Sequence, residues 1–198
     1  MTHIDELATI GTSTWLDDLS RERLDSGNLR ELLSTKSIVG VTTNPAIFAA
    51  AMSSGTSYDE DISILREKGA HADEAVYSLA VEDVRNACDV FTEIFEQTDG
   101  RDGRVSIEVD PRISADAEAT LSQARELWAQ VDRPNLMIKI PATTGSLPAI
   151  TDALADGISV NVTLIFSVER YAEVIAAYKE GIRRAAAAGK DVSTCLLY

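Results

Sequence analysis

The chain alternates short runs of β-forming residues with longer runs of helical periodicity, and this pattern limits its fold more than any other feature. The strand candidates occupy residues 13–18, 37–43, 104–110, 136–142 and 159–166. Helices between successive strands imply parallel pairing, because a parallel crossover needs a dozen or more residues. The sequence therefore predicts an α/β protein, either a doubly wound sheet or a barrel.

The connection after the first strand candidate separates these two folds. A doubly wound nucleotide-binding fold carries a glycine-rich turn there. The residues at that point are Asp17, Asp18, Leu19 and Ser20, and the sequence contains no GxGxxG or Walker-type loop. We therefore predict a (β/α)8 barrel type, with two helices of residues 57–97 inserted between the second and third strands.

Helix punctuation agrees with this arrangement. Asn44 precedes a proline and is predicted to cap a helix, as are Ser114 and Ser167. Three glycines stand where helices are expected to stop: Gly69, Gly157 and Gly189. The sequence contains no linker or repeat, so residues 1–198 are predicted to form a single domain.

Composition excludes some partners. The net charge of −14 argues against nucleic acid or an anionic membrane. No apolar run approaches the roughly 18 residues of a membrane span. The two cysteines suggest neither a disulfide framework nor a metal site. We expect a cytoplasmic protein.

Polar residues gather on one face of several strand candidates, near their carboxyl ends. Side chains alternate across a strand. Ser106, Glu108 and Asp110 therefore share a face, as do Asn161 with Thr163 and Thr42 with Asn44. Barrel interiors are filled mainly by apolar side chains, and the carboxyl ends of the strands form the rim where barrel enzymes hold their chemistry. These faces predict an active site.

Lys139 is a single ammonium group within an apolar strand candidate. Burial disfavours the charged form and yields an amine that can attack a carbonyl. A lysine that reaches out from an edge strand, or that pairs with a carboxylate, would give the same pattern. Carboxylates at neighbouring strand ends favour catalysis, and Asp17, Glu108 and Asp110 are the candidates for proton transfer.

Five segments of the sequence resemble the successive strand motifs of the transaldolase family, in the same order. They are Trp15-Leu16-Asp17, Thr42-Thr43-Asn44-Pro45, Ile107-Glu108-Val109-Asp110, Ile138-Lys139-Ile140-Pro141-Ala142 and Asn161-Val162-Thr163-Leu164-Ile165-Phe166-Ser167. The resemblance covers residues 11 to about 191 and is closest to the longer type found in actinobacteria and plants.

The resemblance implies a (β/α)8 barrel without cofactor or metal. Such enzymes transfer a dihydroxyacetone unit between sugar phosphates of the pentose phosphate pathway through a lysine Schiff base. By motif, Lys139 would be that lysine, Glu108 would activate a water held by Thr163, and Asp17 would be the acid/base for carbon–carbon cleavage. The dihydroxyacetone hydroxyls would be bound by Thr42, Asn44 and Asn161.

The sequence departs from the family after its fifth helix. A full barrel takes about 250 residues, so we expect a truncated chain of about five strand–helix units. Residues 194–198 do not resemble the family's sixth strand, and the expected phosphate-binding arginines are missing. Exposed barrel edges would then favour a homo-oligomer. Two alternatives remain: a class I aldolase of the fructose-6-phosphate type, and a non-catalytic barrel fragment that associates with itself.

Overall fold

The computed structural model describes residues 3–195 and 197, and the chain divides into two compact units. The N-terminal unit is Met1–Val105 and the C-terminal unit is Ser106–Tyr198. Within the described residues, five β-strands alternate with nine α-helices, which confirms the predicted α/β class. No helix in these residues is long and apolar enough to cross a membrane.

The N-terminal unit contains the first two strands. Its elements are α1 (His3–Thr9), β1 (Trp15–Leu16), α2 (Arg21–Asp25), α3 (Asn28–Lys36), β2 (Gly40–Thr42), α4 (Pro45–Ser53), α5 (Asp59–Glu67) and α6 (Ala72–Gln97). β1 and β2 pair in parallel, with Trp15 opposite Gly40. A Cβ atom at Gly40 would lie 2.5 Å from the Trp15 ring, so only glycine fits beneath the indole.

The predicted pair of inserted helices is confirmed by α5 and α6. α6 supplies much of the core of the N-terminal unit, since its inward residues Val84, Ala87 and Phe91 are fully buried. Gly69 follows α5 with a φ of +79°, a left-handed conformation that glycine adopts without steric cost. The sequence therefore located both helices correctly.

The C-terminal unit repeats the strand–helix pattern. β3 (Arg104–Glu108) begins in the last residues of the N-terminal unit and ends in the C-terminal unit. It is followed by a 3₁₀ turn (Pro111–Ile113), α7 (Ala117–Val131), β4 (Leu136–Pro141), α8 (Leu147–Ala155), β5 (Val160–Thr163) and α9 (Val168–Ala187). β4 and β5 are parallel, with Lys139 opposite Asn161 and Pro141 opposite Thr163. This register places the polar residues of both strands on one face.

Two of the three predicted helix caps are confirmed. Asn44 Oδ1 accepts a hydrogen bond from Ile47 N at 2.9 Å, and Ser167 Oγ accepts one from Arg170 N at 3.0 Å. The prediction for Ser114 is wrong, because Asp116 caps α7. The 3₁₀ turn occupies the residues directly after Asp110, so the helix begins later than the sequence indicated.

The strands are shorter than predicted. β5 ends at Thr163, and Leu164 then adopts a left-handed φ of +60°, which a strand cannot continue. At the other end of β5, Leu197 forms an isolated parallel bridge with Val160. An isolated bridge is not a strand, so the expectation that residues 194–198 do not resemble the family's sixth strand stays a prediction. The prediction of a single domain remains a prediction.

Candidate active site

Three predicted site residues belong to the N-terminal unit, and each follows or ends a strand. Asp17 comes directly after β1, and its side chain is exposed. Thr42 is the last residue of β2. Asn44 caps α4 through its side-chain oxygen, while its amide nitrogen makes no hydrogen bond to any described residue. Capping therefore uses half of the Asn44 amide and leaves a donor for a ligand.

The two adjacent aspartates after β1 have different environments. Asp18 accepts a hydrogen bond from Arg23 Nε at 3.0 Å and so is bound to α2. In the described part of the chain, the Asp17 carboxylate has no hydrogen bond or ion pair. Of the two, only Asp17 is available to take or give a proton.

In the C-terminal unit, Lys139 lies beside Glu108. Lys139 Nζ is 3.5 Å from Glu108 Oε2, and each side chain is only 12% exposed. The sequence allowed a lysine that pairs with a carboxylate as an alternative to a catalytic lysine, and the structure has such a pair. The partner is one of the carboxylates expected to exchange protons with the amine.

Asn161 lies opposite Lys139 in the β4–β5 register and is held by a residue to which the sequence gave no role. Asn161 Nδ2 donates a hydrogen bond to Ser106 Oγ at 3.2 Å, and Ser106 is fully buried. The available signal was parity, because Ser106 shares its face with Glu108. Ser106 thus fixes the orientation of the Asn161 amide.

The Thr163 hydroxyl is buried and has no hydrogen-bond partner among the described residues. Buried hydroxyls are nearly always paired with protein groups or with water. Thr163 lies two residues beyond Asn161 on the same face of β5, next to Pro141 in the register. The unpaired oxygen can therefore hold a water or a substrate hydroxyl.

Asp110, the third carboxylate candidate of the sequence, has a structural role. Its side chain caps the 3₁₀ turn by accepting from Arg112 N at 2.8 Å, and it also binds the Arg112 guanidinium. These hydrogen bonds and charges hold the pKa of Asp110 below its usual value. A carboxylate so stabilised as the anion is poorly suited to carry a proton.

The described residues contain no group of three or more His, Cys, Asp or Glu side chains placed to hold a metal ion. In the C-terminal unit, the strand ends offer the amine of Lys139, the carboxylate of Glu108, the hydroxyl of Thr163 and the amide of Asn161. This set suits the covalent capture of a carbonyl compound followed by proton transfer.

Comparison with known proteins agrees with these motifs. The family model for Transaldolase/Fructose-6-phosphate aldolase matches residues 14–193. The chain is 58% identical over 187 residues to a protein of Mycolicibacterium smegmatis named Transaldolase, and 59% identical to proteins of that name from Mycolicibacterium paratuberculosis and Mycobacterium leprae. Each match covers 94% of this chain and 50% of the relative.

The chain thus spans about half the length of the curated relatives that it matches. This relationship confirms the predicted (β/α)8 barrel family, of which the described residues contain five strand–helix units. The match by sequence, the order of the motifs and the alternation of strands and helices all point to one assignment: the chain belongs to the transaldolase/fructose-6-phosphate aldolase family.

Proposed function

We propose that this chain carries the Schiff-base machinery of a transaldolase, which transfers a dihydroxyacetone unit from a ketose phosphate to an aldose phosphate. The observation that carries the proposal is the pair of Lys139 and Glu108, 3.5 Å apart and largely shielded from water. The substrates are sugar phosphates such as fructose 6-phosphate, sedoheptulose 7-phosphate, erythrose 4-phosphate and glyceraldehyde 3-phosphate. The pathway is the pentose phosphate pathway, and the location is the cytoplasm.

In the first stage, Lys139 acts as the nucleophile. Its neutral amine attacks the C2 carbonyl of the ketose, and the resulting carbinolamine loses its hydroxyl as water to give an iminium. Departure of that hydroxyl requires a proton, which Glu108 supplies through a water molecule. Thr163 holds this water, a role that suits a buried hydroxyl with no partner in the described residues.

In the second stage, Asp17 acts as the general base. Asp17 takes the proton of the C4 hydroxyl, and the C3–C4 bond breaks. The electron pair of that bond moves into the iminium and forms an enamine. The aldose phosphate leaves as the aldehyde. Attack of the enamine on a second aldehyde, with proton return from Asp17, gives a new iminium, and its hydrolysis by water releases the product ketose and the free amine of Lys139. The exposed Asp17 carboxylate is consistent with contact to substrate.

Three residues bind the hydroxyls of the dihydroxyacetone unit in this proposal: Thr42, Asn44 and Asn161. Asn44 has an amide nitrogen without a hydrogen bond in the described structure, and Asn161 is oriented by Ser106. Residues 1–198 act as one domain, and no cofactor or metal enters the reaction. Self-association through strand edges belongs to the same proposal, and size-exclusion chromatography tests it.

Borohydride trapping tests the function. Incubation with fructose 6-phosphate and borohydride is expected to add a reduced three-carbon or six-carbon unit to Lys139, detected by peptide mass spectrometry. Lys139→Arg should abolish the adduct, whereas Lys179→Arg, at an exposed position on α9, should leave it unchanged. A folded parent chain that gives no adduct on Lys139 would refute the proposal.

A second candidate is an aldolase that releases dihydroxyacetone, an activity that the matched family description also names. It shares the lysine adduct, so trapping does not separate the two. Product analysis does: the aldolase forms free dihydroxyacetone without an acceptor, whereas the transaldolase forms sedoheptulose 7-phosphate when erythrose 4-phosphate is present. A non-catalytic fragment would form neither product and no adduct.

A further inference from the structure

Arg21, the first residue of α2, is the centre of a polar network that links three helices of the N-terminal unit. Its Nε donates to Asp83 Oδ1 at 2.9 Å, and its terminal nitrogens bind Asp61 and Glu82. The guanidinium also stacks on Tyr58, 4.8 Å from the ring centroid. We call Arg21, Tyr58, Asp61, Glu82 and Asp83 the Arg21 clamp.

A closed ring of hydrogen bonds lies within the Arg21 clamp. The Arg21 backbone N–H donates to Tyr58 Oη at 2.8 Å, and that hydroxyl donates to Asp83 Oδ2 at 2.6 Å. Asp83 is fully buried and Tyr58 is 2% exposed. The ring therefore fixes the main chain at residue 21, as well as the side chain, to α6.

Burying the charged residues of the Arg21 clamp costs free energy, and hydrophobic residues of equal volume would avoid that cost. Desolvation raises the pKa of Asp83, although its hydrogen bonds with Tyr58 and Arg21 oppose that effect. What such a network provides is a defined position, because charged and bidentate hydrogen bonds are directional. The question is which part of the chain requires it.

The segment fixed by the Arg21 clamp is the connection from β1 to α2, which begins at Asp17. Every residue after Asp17 in this connection is anchored: Asp18 by Arg23, Leu19 by complete burial, and Ser20 by capping α2 through a bond from Arg23 N. Asp17 alone projects without a partner in the described residues. The connection is therefore held in place at every residue except Asp17, whose carboxylate remains available to a ligand.

We infer that Arg21, Tyr58 and Asp83 are positioning residues for Asp17, and that the Arg21 clamp holds the β1–α2 connection in the geometry that carbon–carbon cleavage requires. This inference rests on the proposed function of Asp17. It differs from a general stabilising role in one respect. Loosening the clamp should impair cleavage, the step that uses Asp17, more than capture of substrate by Lys139.

Tyr58→Phe tests the inference, because it keeps the ring under the guanidinium and removes only the hydroxyl that joins Arg21 N–H to Asp83. Val84→Ala is the matched control: it weakens the same buried stretch of α6 and keeps every hydrogen-bonding group of the Arg21 clamp. Asp61→Asn, at the more exposed edge of the clamp, serves as a milder second variant should Tyr58→Phe fold poorly.

Hydrogen exchange provides a readout that is independent of activity. In Tyr58→Phe, we expect amide exchange in residues 17–21 to become about tenfold faster, as for loss of one well-placed hydrogen bond. Exchange in residues 136–141 should not change. Unchanged exchange in residues 17–21, or an equal rise in both segments, would overturn the inference whether or not the chain turns over substrate.

The kinetic readout compares two steps of one reaction in the chain of residues 1–198. For fructose 6-phosphate, the rate of aldehyde release divided by the rate of borohydride-trapped adduct formation should fall about tenfold in Tyr58→Phe, and stay constant in Val84→Ala. Asp17→Asn removes the proposed general base itself and so gives the largest fall expected in this ratio. An unchanged ratio in Tyr58→Phe would refute the positioning role, whereas a parent chain without adduct would refute the function of Lys139 instead.

Discussion

Lys139 Nζ and Glu108 Oε2 lie 3.5 Å apart, with both side chains 12% exposed. The two groups are largely shielded from water and close enough for a proton to pass between them through one water molecule. In the proposed mechanism, imine formation on Lys139 therefore depends on Glu108.

Glu108→Gln should slow imine formation on Lys139 by roughly 10²-fold to 10⁴-fold, the usual contribution of a general acid–base group. Glutamine keeps the size of the side chain but cannot carry a proton. The rate of borohydride-trapped adduct gives the measurement. Asp110→Asn is the control, since Asp110 is bound by Arg112, and its adduct rate should match that of the parent. Equal rates in Glu108→Gln and the parent would remove Glu108 from the mechanism.

Thr163→Val should leave the free energy of unfolding unchanged or raise it slightly, because no described residue pairs with the hydroxyl that it removes. Thr120→Val provides the contrast. The Thr120 hydroxyl donates to the Ile113 carbonyl at 3.1 Å, so its loss should cost about 1 kcal/mol or more. Urea denaturation measures both variants. The adduct rate should fall in Thr163→Val only, and a fall in Thr120→Val of the same size would contradict the assignment of the water site.

Arg112→Gln should raise the pKa of Asp110 towards its ordinary value of about 3.8. Because the folded-state pKa of Asp110 is lowered, its contribution to stability is present above the unfolded pKa and is lost as the pH falls through the folded value. The parent should therefore lose more stability than Arg112→Gln below about pH 4.

Carboxyl NMR titration follows this shift directly, with Glu180 as an internal control. The pKa of Glu180 is lowered by Arg183, so it should be the same in both proteins. An Asp110 pKa that does not move in Arg112→Gln would show that Arg112 is not the cause.

Gly40→Ala should lower the free energy of unfolding by about 1–3 kcal/mol, since the new Cβ would lie 2.5 Å from the Trp15 ring. The cost should be smaller in a Trp15→Leu background, where the obstructing ring is absent. A double-mutant cycle by urea denaturation gives the coupling, which is expected to exceed about 0.5 kcal/mol. Additive costs would mean that the ring shifts freely and that the close fit does not matter.

Local sequence rules predicted the features that depend on neighbouring residues. Proline after Asn44 and the cap at Ser167 located the starts of α4 and α9, and strand parity grouped Asn161 with Thr163. The same rules placed the start of α7 at Ser114, because they could not foresee that Asp110 would cap a 3₁₀ turn before it. Ser114 instead ends this 3₁₀ turn, and Asp116 caps α7 by accepting a hydrogen bond from Ala119 N.

Contacts between residues far apart in sequence were beyond these rules. Parity placed Ser106 on the polar face but could not pair it with Asn161, 55 residues later. Likewise, nothing in the sequence marked Arg21, Tyr58 and Asp83 as partners, since each is an ordinary polar residue of a helix or its flank. Roles carried by a motif could be predicted, whereas roles carried by tertiary contacts could not.

The closed ring of Arg21, Tyr58 and Asp83 has a consequence for the order of assembly. Arg21 and Asp83 are 62 residues apart, so their contact closes a long loop. If any one of the three residues is missing, the other two are left with an unsatisfied hydrogen-bonding group. The ring should therefore form late in folding and in a single step. Folding-rate measurements on Tyr58→Phe should show faster unfolding with little change in the refolding rate.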